Sequence, residues 1–408
     1  MKSFQTVFYY ILFALIFLLQ VHNAIYYPET RGFDSRAHIE YINFIRDTRR
    51  LPLPDQGWEM FQAPLYYFLC SFFYDNKSAQ FLGLFIWILL FLSISKLIDK
   101  SVANINKNDT LLIKIFLVTI PIIVYITPAI GNEFISTVAI SIFLVKYKLT
   151  SKIQNRSYIE NLYLGILLGL ALLCKATSII TMMAFILSEF LNGKSPKLVI
   201  KNLWVSLLIA CSIGGWFYFR SYLLYKNIIY QPADYIPLSS YAQPIVNRDL
   251  NFFFSVKSLI SFDIMKAHYY SFLGGTFFSW YYDGHTVLLP VQEFSKSGVT
   301  LVILSLPFFL LTVLGYLLEL RTKSPQYLYI IYPVLLMFFY VMYNFKLPFY
   351  STVKSVFISS LFIPYSYFYV KGYRKLGSSA RFFIKILMVL YILLVFKIFW
   401  VQPSWYLI

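Results

Sequence analysis

The sequence predicts an all-α polytopic membrane protein, and two observations lead to this fold class. Apolar residues make up 59% of the 408 residues and charged residues only 13%, whereas about 25% of the residues in a soluble domain are charged. Uncharged apolar runs recur along the chain, for example at residues 4–21, 81–95 and 301–318. Each is close to the ~20 residues that cross a bilayer as a helix.

We predict eleven transmembrane helices, with the N-terminus in the cytoplasm. The first apolar run follows Lys2 but is long and lacks a convincing small-x-small cleavage motif, so we expect a retained helix rather than a signal peptide. The predicted spans cover approximately residues 4–23, 78–98, 111–127, 134–149, 161–173, 177–191, 198–222, 299–320, 326–344, 353–370 and 382–401.

The net charge of +17 indicates orientation rather than nucleic-acid binding. Each predicted inner connection contains lysine or arginine, and these connections cover residues 99–110, 150–160, 192–197, 321–325 and 371–381. This distribution follows the positive-inside rule. We therefore expect membrane lipids, and no nucleic acid, as partners.

Two long outer loops, residues 24–77 and 223–298, belong to a single integral membrane domain predicted over residues 1–408, without a soluble C-terminal domain. The first loop should contain two interfacial helices lying on the outer surface. One covers residues 35–50 and carries isoleucines at helical spacing. The other covers residues 63–74, with Pro64 at its first helical position. A membrane crossing there would turn every later basic loop outward.

Short motifs follow one another in a characteristic order over about the first 225 residues. They are Gly32-Phe-Asp34 with His38, Glu59-x-x-Gln62-x-Pro64 before a short helix, Gly131-Asn132-Glu133, Lys175 after a glycine-containing apolar run, and Arg220 closing the seventh span. This series resembles the GT-C superfamily of polyprenyl-phosphate-sugar-dependent glycosyltransferases. The branch that it resembles includes the protein O-mannosyltransferases and the bacterial lipid A aminoarabinose transferases.

The resemblance implies an inverting transfer of a monosaccharide from a polyprenyl-phosphate donor to an acceptor hydroxyl on a lipid, glycan or protein. Such a reaction needs a base for the acceptor proton, cations for the departing phosphate and a water-poor groove. The first-loop acid is the base in the family, so this role is carried over to Asp34. The remaining site predictions are phosphate binding by Arg31, Arg36, Lys175 and Arg220, acceptor positioning or support by Glu59, His38 and Gln62, and a sugar or lipid groove at Trp280, Tyr282, Asp283 and His285.

Each prediction has a structural alternative. Asp34 alternatively caps the helix that begins at Ser35. Glu59 alternatively is a solvated loop charge, and Lys175 a snorkelling lysine at a helix end. The aromatic run around Trp280 alternatively belongs to the belt of rings found at membrane interfaces.

The sequence indicates no required metal ion or other cofactor. The three cysteines (Cys70, Cys174 and Cys211) occur singly, and the four histidines have no partner at ligand spacing. The first loop also lacks the Asp-x-Asp signature of the metal-dependent oligosaccharyltransferases. A divalent cation at Asp34, Glu40 and Glu59 is the alternative.

Other function classes fit the sequence less well. A secondary transporter should show repeated halves and polar sites at the midplane, whereas the charges here gather on the outer side. A polymerase or ligase of polyprenyl-linked glycans should have its main catalytic loop late in the chain. A noncatalytic scaffold would not require Asp34, Lys175 and Arg220 on one side. We predict a bacterial inner-membrane enzyme of the cell envelope with a periplasmic active site, the lumen of the endoplasmic reticulum being the alternative.

Overall fold

Helices account for nearly all regular structure in this computed structural model, which describes residues 2–101, 105–151, 153, 155–192, 195–241, 243, 245–256, 271–283, 287–289 and 295–406. Within these residues, the β-structure is limited to an isolated antiparallel bridge between Ile245 and Phe349. The predicted all-α fold is confirmed.

The α-helices of the described residues are numbered in chain order. They are α1 (Lys2–Tyr26), α2 (Ser35–Thr48), α3 (Leu65–Ser71), α4 (Asn76–Ser101), α5 (Lys107–Val118), α6 (Pro121–Ile126), α7 (Glu133–Thr150), α8 (Tyr158–Cys174), α9 (Ser178–Leu191), α10 (Pro196–Ala210), α11 (Trp216–Tyr225), α12 (Leu250–Phe254), α13 (Phe272–Tyr281), α14 (Ser295–Leu320), α15 (Tyr327–Lys346), α16 (Phe362–Tyr373) and α17 (Ser378–Phe399).

In the described part of the chain, six helical units are long and apolar enough to cross a membrane. They are α1, α4, the continuous unit of α10 and α11 (Pro196–Tyr225), α14, α15 and α17. With the composition, they identify an integral membrane protein. The other predicted spans are shorter or interrupted: α8 and α9 have 17 and 14 residues, and the run at 111–127 breaks into α5 and α6 at Pro121. The total of eleven spans stays a prediction.

Close helix packing depends on two glycines at the contact of α14 with α16. A Cβ atom at Gly315 would collide with the Phe368 carbonyl oxygen, and one at Gly372 with that of Leu311. Only glycine lets the two backbones approach this closely. At the opposite end of the bundle from the first loop, the segment just before α8 is linked to α9 by the fully buried Arg156–Glu189 ion pair at 2.8 Å.

Both predicted helices of the first outer loop are present as α2 and α3. Their apolar faces pack on each other, with the Tyr41 and Tyr67 rings stacked at 3.8 Å. Pro64 occupies the N-cap of α3 rather than its first helical position, so this detail of the prediction is wrong by one residue. The packing fixes the loop that carries Asp34 and Glu59 against the helical bundle.

Candidate functional site

A cavity of about 640 Å³ lies where the first outer loop meets the ends of several helices. Four predicted site residues line it: Asp34, Glu59, Gln62 and Lys175. They come from the first loop and from the residue that follows α8. Sequence-distant residues are therefore brought to one site.

Asp34 occupies the N-cap position of α2 without acting as a side-chain cap. Its φ of 52° and ψ of 22° are left-handed, and its carboxylate accepts no capping hydrogen bond. The Asp34 carbonyl oxygen accepts the His38 N–H at 3.0 Å, so the backbone alone starts the helix. The capping alternative is wrong. A left-handed non-glycine residue costs on the order of 1 kcal/mol or more, and here it places an exposed carboxylate in the cavity wall.

Glu59 is buried although it borders the cavity, so its interpretation as a solvated loop charge is wrong. The Gln62 side chain donates a hydrogen bond of 2.9 Å to Glu59 Oε2. Burial, and next the negative charges of Asp34 and Glu133, raise the pKa of Glu59 to about 8. The carboxyl group is therefore mostly protonated at pH 7 and can donate a hydrogen bond.

Lys175 is buried and held in an ion pair, so it does not snorkel to solvent. Its Nζ lies 2.8 Å from Glu133 Oε1. Glu133 Oε2 lies 3.8 Å from His38 Nε2, and His38 Nδ1 lies 2.9 Å from the Tyr67 hydroxyl. Burial lowers the pKa of His38, which is therefore neutral at pH 7. His38 thus stands behind the cavity wall and supports the Lys175–Glu133 pair.

Lys354 is a further cation of the cavity, and sequence reasoning missed it. It is only 8% exposed, and its Nζ lies 4.2 Å from the centre of the Phe33 ring and 5.1 Å from that of Phe357. Lys175 Nζ lies 5.9 Å from the same Phe357 ring. Among the described residues, no carboxylate pairs with Lys354. The available signal was a single charge within the apolar run 347–370.

The predicted arginines lie elsewhere. Arg31, Arg36 and Arg220 do not line the cavity. Arg220 Nη2 donates a hydrogen bond of 3.0 Å to the Pro52 carbonyl oxygen and so ties α11 to the first loop. Arg31 lies within electrostatic range of Asp283. Direct phosphate contacts by these arginines stay predictions.

The predicted aromatic groove is separate from the cavity that contains Asp34. Trp280 lines a second, apolar cavity of about 340 Å³ between α13, α14, α15 and α16. Tyr282 and Asp283 are buried, and burial raises the pKa of Asp283 to about 6. Asp283 accepts backbone N–H groups of residues 287–289 and thereby shapes the loop. His285 lies outside the described residues.

The cavity also has an apolar arm between α9 and α15. Ile179, Ile180 and Met183 line it from α9, and Leu336 and Phe339 from α15. Met183 and Phe339 are exposed on the outer surface of the bundle. The arm therefore joins the charged part of the cavity to the surface that would face lipid.

Within the described residues, no group of three or more His, Cys, Asp or Glu side chains is arranged to hold a metal ion. The cavity offers carboxyl groups, ammonium groups and an apolar arm. This combination suits a ligand with an anionic head and a hydrocarbon tail.

The fold is similar to that of two proteins with solved structures. ArnT from Cupriavidus metallidurans superposes in its apo state with a TM-score of 0.60 and 9% identity, over 93% of this chain and 62% of that chain. The ArnT structure bound to undecaprenyl phosphate gives a TM-score of 0.58, 10% identity and the same coverage.

A protein from an archaeon also has a fold similar to that of this chain. The oligosaccharyltransferase of Archaeoglobus fulgidus, in complex with Zn and sulfate, gives a TM-score of 0.53 and 12% identity over 96% of this chain and 53% of that chain. The chain thus spans less than two thirds of the length of these proteins. No family model and no curated protein matches the sequence. The GT-C resemblance is confirmed at the level of the fold.

Proposed function

We propose that this protein is a membrane glycosyltransferase that moves a monosaccharide from a polyprenyl-phosphate donor to an acceptor hydroxyl on the outer face of the membrane. The observation that carries the proposal is an uncapped Asp34 carboxylate in the same cavity as two buried lysines, Lys175 and Lys354. The shared fold with an ArnT bound to undecaprenyl phosphate supports the donor class. We further propose a single integral domain in a bacterial inner membrane, with the cavity facing the periplasm.

The proposed donor lies with its phosphate at Lys354 and its lipid chain in the arm between α9 and α15. Lys354 has no carboxylate partner in the described part of the chain, and a buried unpaired charge is costly. A phosphate would supply the missing anion through charge-assisted hydrogen bonds. The apolar arm would accept the first isoprene units without desolvating polar groups.

The proposed reaction is a single displacement. Asp34 takes the proton of the acceptor hydroxyl as its oxygen forms a bond to the anomeric carbon of the sugar. The bond from that carbon to the phosphate oxygen breaks, and the electron pair leaves with the phosphate. Lys354, assisted by Lys175, stabilises the added negative charge. Attack opposite the leaving phosphate inverts the configuration of the anomeric carbon.

Lys354→Ala should weaken binding of undecaprenyl phosphate by about tenfold or more, since a hydrogen bond to a charged group contributes about 1.5–3 kcal/mol. Binding would be measured on the full chain in nanodiscs, with Lys354→Arg expected to retain part of the affinity. Lys226→Ala is the matched control, because Lys226 is an exposed lysine outside the cavity lining. Wild-type affinity in Lys354→Ala would remove this lysine from the donor site.

The transfer rate should fall as the pH rises above about 8, because Glu59 loses its proton there. The ionised Glu59 would add a second negative charge beside Asp34 and could no longer donate a hydrogen bond to the acceptor. Glu59→Gln keeps this position neutral, so its rate should lack the alkaline decrease. Transfer rates of both proteins, measured from about pH 6 to about pH 10 so that the range brackets this pKa, would test the prediction. The exposed Asp47→Asn variant is the control, and an alkaline limb that persists in Glu59→Gln would contradict the role.

A further inference from the structure

The outer rim of the cavity carries an aromatic surface held in place by neighbouring rings. Trp58 is 40% exposed and packs edge-on against Tyr241, with ring centroids 5.5 Å apart. Tyr241 in turn stacks on Phe349 at 4.9 Å. Trp58 therefore presents a large, preorganised ring at the entrance of the cavity.

Beside these rings lies a polar pair with unused hydrogen-bonding capacity. The Ser351 hydroxyl donates to Gln243 Oε1 at 2.6 Å. No described residue is a hydrogen-bond partner of Gln243 Nε2, which carries two N–H donors. The nearby charge of Lys346 is already paired with Asp234 at 2.7 Å. The rim thus offers neutral hydrogen-bonding groups.

The rim connects directly to the proposed reaction centre. Trp58 immediately precedes Glu59 in the chain. The Tyr343 side chain lies within electrostatic range of Glu59, Asp34 and Tyr241. A molecule on the rim would therefore extend towards the carboxyl groups of the cavity.

We propose that the rim of Trp58, Tyr241, Gln243 and Ser351 binds a carbohydrate, so that the acceptor is a glycan hydroxyl. This assignment rests on the proposed glycosyl transfer. A pyranose ring has an apolar C–H face that packs on an aromatic ring, and hydroxyl groups at its edge that pair with amides. An anionic headgroup would need an unpaired cation at the rim, and the Lys346 charge is already neutralised.

The test measures binding of short oligosaccharides of hexoses and N-acetylhexosamines to the full chain in nanodiscs by saturation-transfer NMR. Serine- and threonine-containing peptides serve as the competing acceptor class. Trp58→Ala should weaken saccharide binding about tenfold or more, whereas Trp58→Phe should retain most of it. Gln243→Leu should also weaken it. Trp204→Ala is the matched control, because Trp204 is 52% exposed on α10 and lies outside the cavity lining.

Undecaprenyl phosphate binding would be measured on the same samples and should be unchanged in the rim variants. Saccharide affinity that is insensitive to both Trp58→Ala and Gln243→Leu would overturn the carbohydrate rim. Peptide binding that depends on Trp58, without saccharide binding, would also overturn it. If wild-type protein binds saccharides through Trp58 but no undecaprenyl phosphate, the proposed donor is wrong and the carbohydrate site stands.

Discussion

Asp34→Asn is expected to reduce sugar transfer by about 10²–10⁴-fold, the usual contribution of a general base, while the protein still folds. The carboxylate accepts no capping bond, so its loss removes no contact that holds α2. Asparagine also tolerates the left-handed backbone that Asp34 adopts, with a φ of 52°. The substitution thus removes the proton acceptor and preserves the local geometry.

Single-turnover transfer from a polyprenyl-phosphate sugar, measured with saturating donor, would separate this effect from donor binding. Asp47→Asn is the matched control, because Asp47 lies exposed on the same helix and does not line the cavity. Undecaprenyl phosphate affinity and the melting temperature should match the wild type in both variants. If Asp34→Asn transfers sugar at the wild-type rate, another group is the base.

The sequence predicted the first loop well because its signals are local. Isoleucines at helical spacing and Pro64 indicate α2 and α3 from neighbouring residues alone. The positive-inside rule, applied to the predicted spans, placed Asp34 and Lys175 on the same side of the membrane. Both line the same cavity. Local pattern and topology were sufficient for these residues.

The sequence could not predict which partner each charge would find. Lys175 pairs with Glu133, which is 42 positions away. Arg220 bonds to the backbone at Pro52 rather than to the cavity. Lys354 lies within an apolar run that the sequence predicts as a membrane span, so it does not stand out as a site residue. Periodicity indicates which face of a helix is buried. Which side chain of another helix contacts that face depends on how helices that are distant in the sequence pack together.

The sequence also could not predict where a predicted span would be interrupted. An apolar run indicates that a segment avoids water, but it does not show whether the helix is continuous. Pro121 has no N–H and so favours the first turn of a new helix, which separates α5 from α6. The residues before α16 form a 3₁₀ segment at Ser355–Leu361 that brings Lys354 and Phe357 to the cavity. An interruption of a predicted span therefore supplies two of the residues that line the cavity.

Lys175→Met should destabilise the protein by about 3–5 kcal/mol, because it leaves the mostly buried Glu133 carboxylate without its partner. Adding Glu133→Gln removes the orphaned charge, so the double variant should recover most of the melting temperature. Lys346→Met is the matched control. Its pair with Asp234 is exposed at the lysine, and breaking it should cost about 0–1 kcal/mol.

Donor binding in the double variant then separates structure from phosphate recognition. If Lys175 assists Lys354 at the phosphate, the double variant should be stable yet bind undecaprenyl phosphate more weakly than the wild type. If its affinity is that of the wild type, Lys175 serves only to neutralise Glu133, and Lys354 alone is the donor cation. A Lys175→Met protein that melts like Lys346→Met would contradict the buried pair itself. The two readouts therefore assign the two lysines independently.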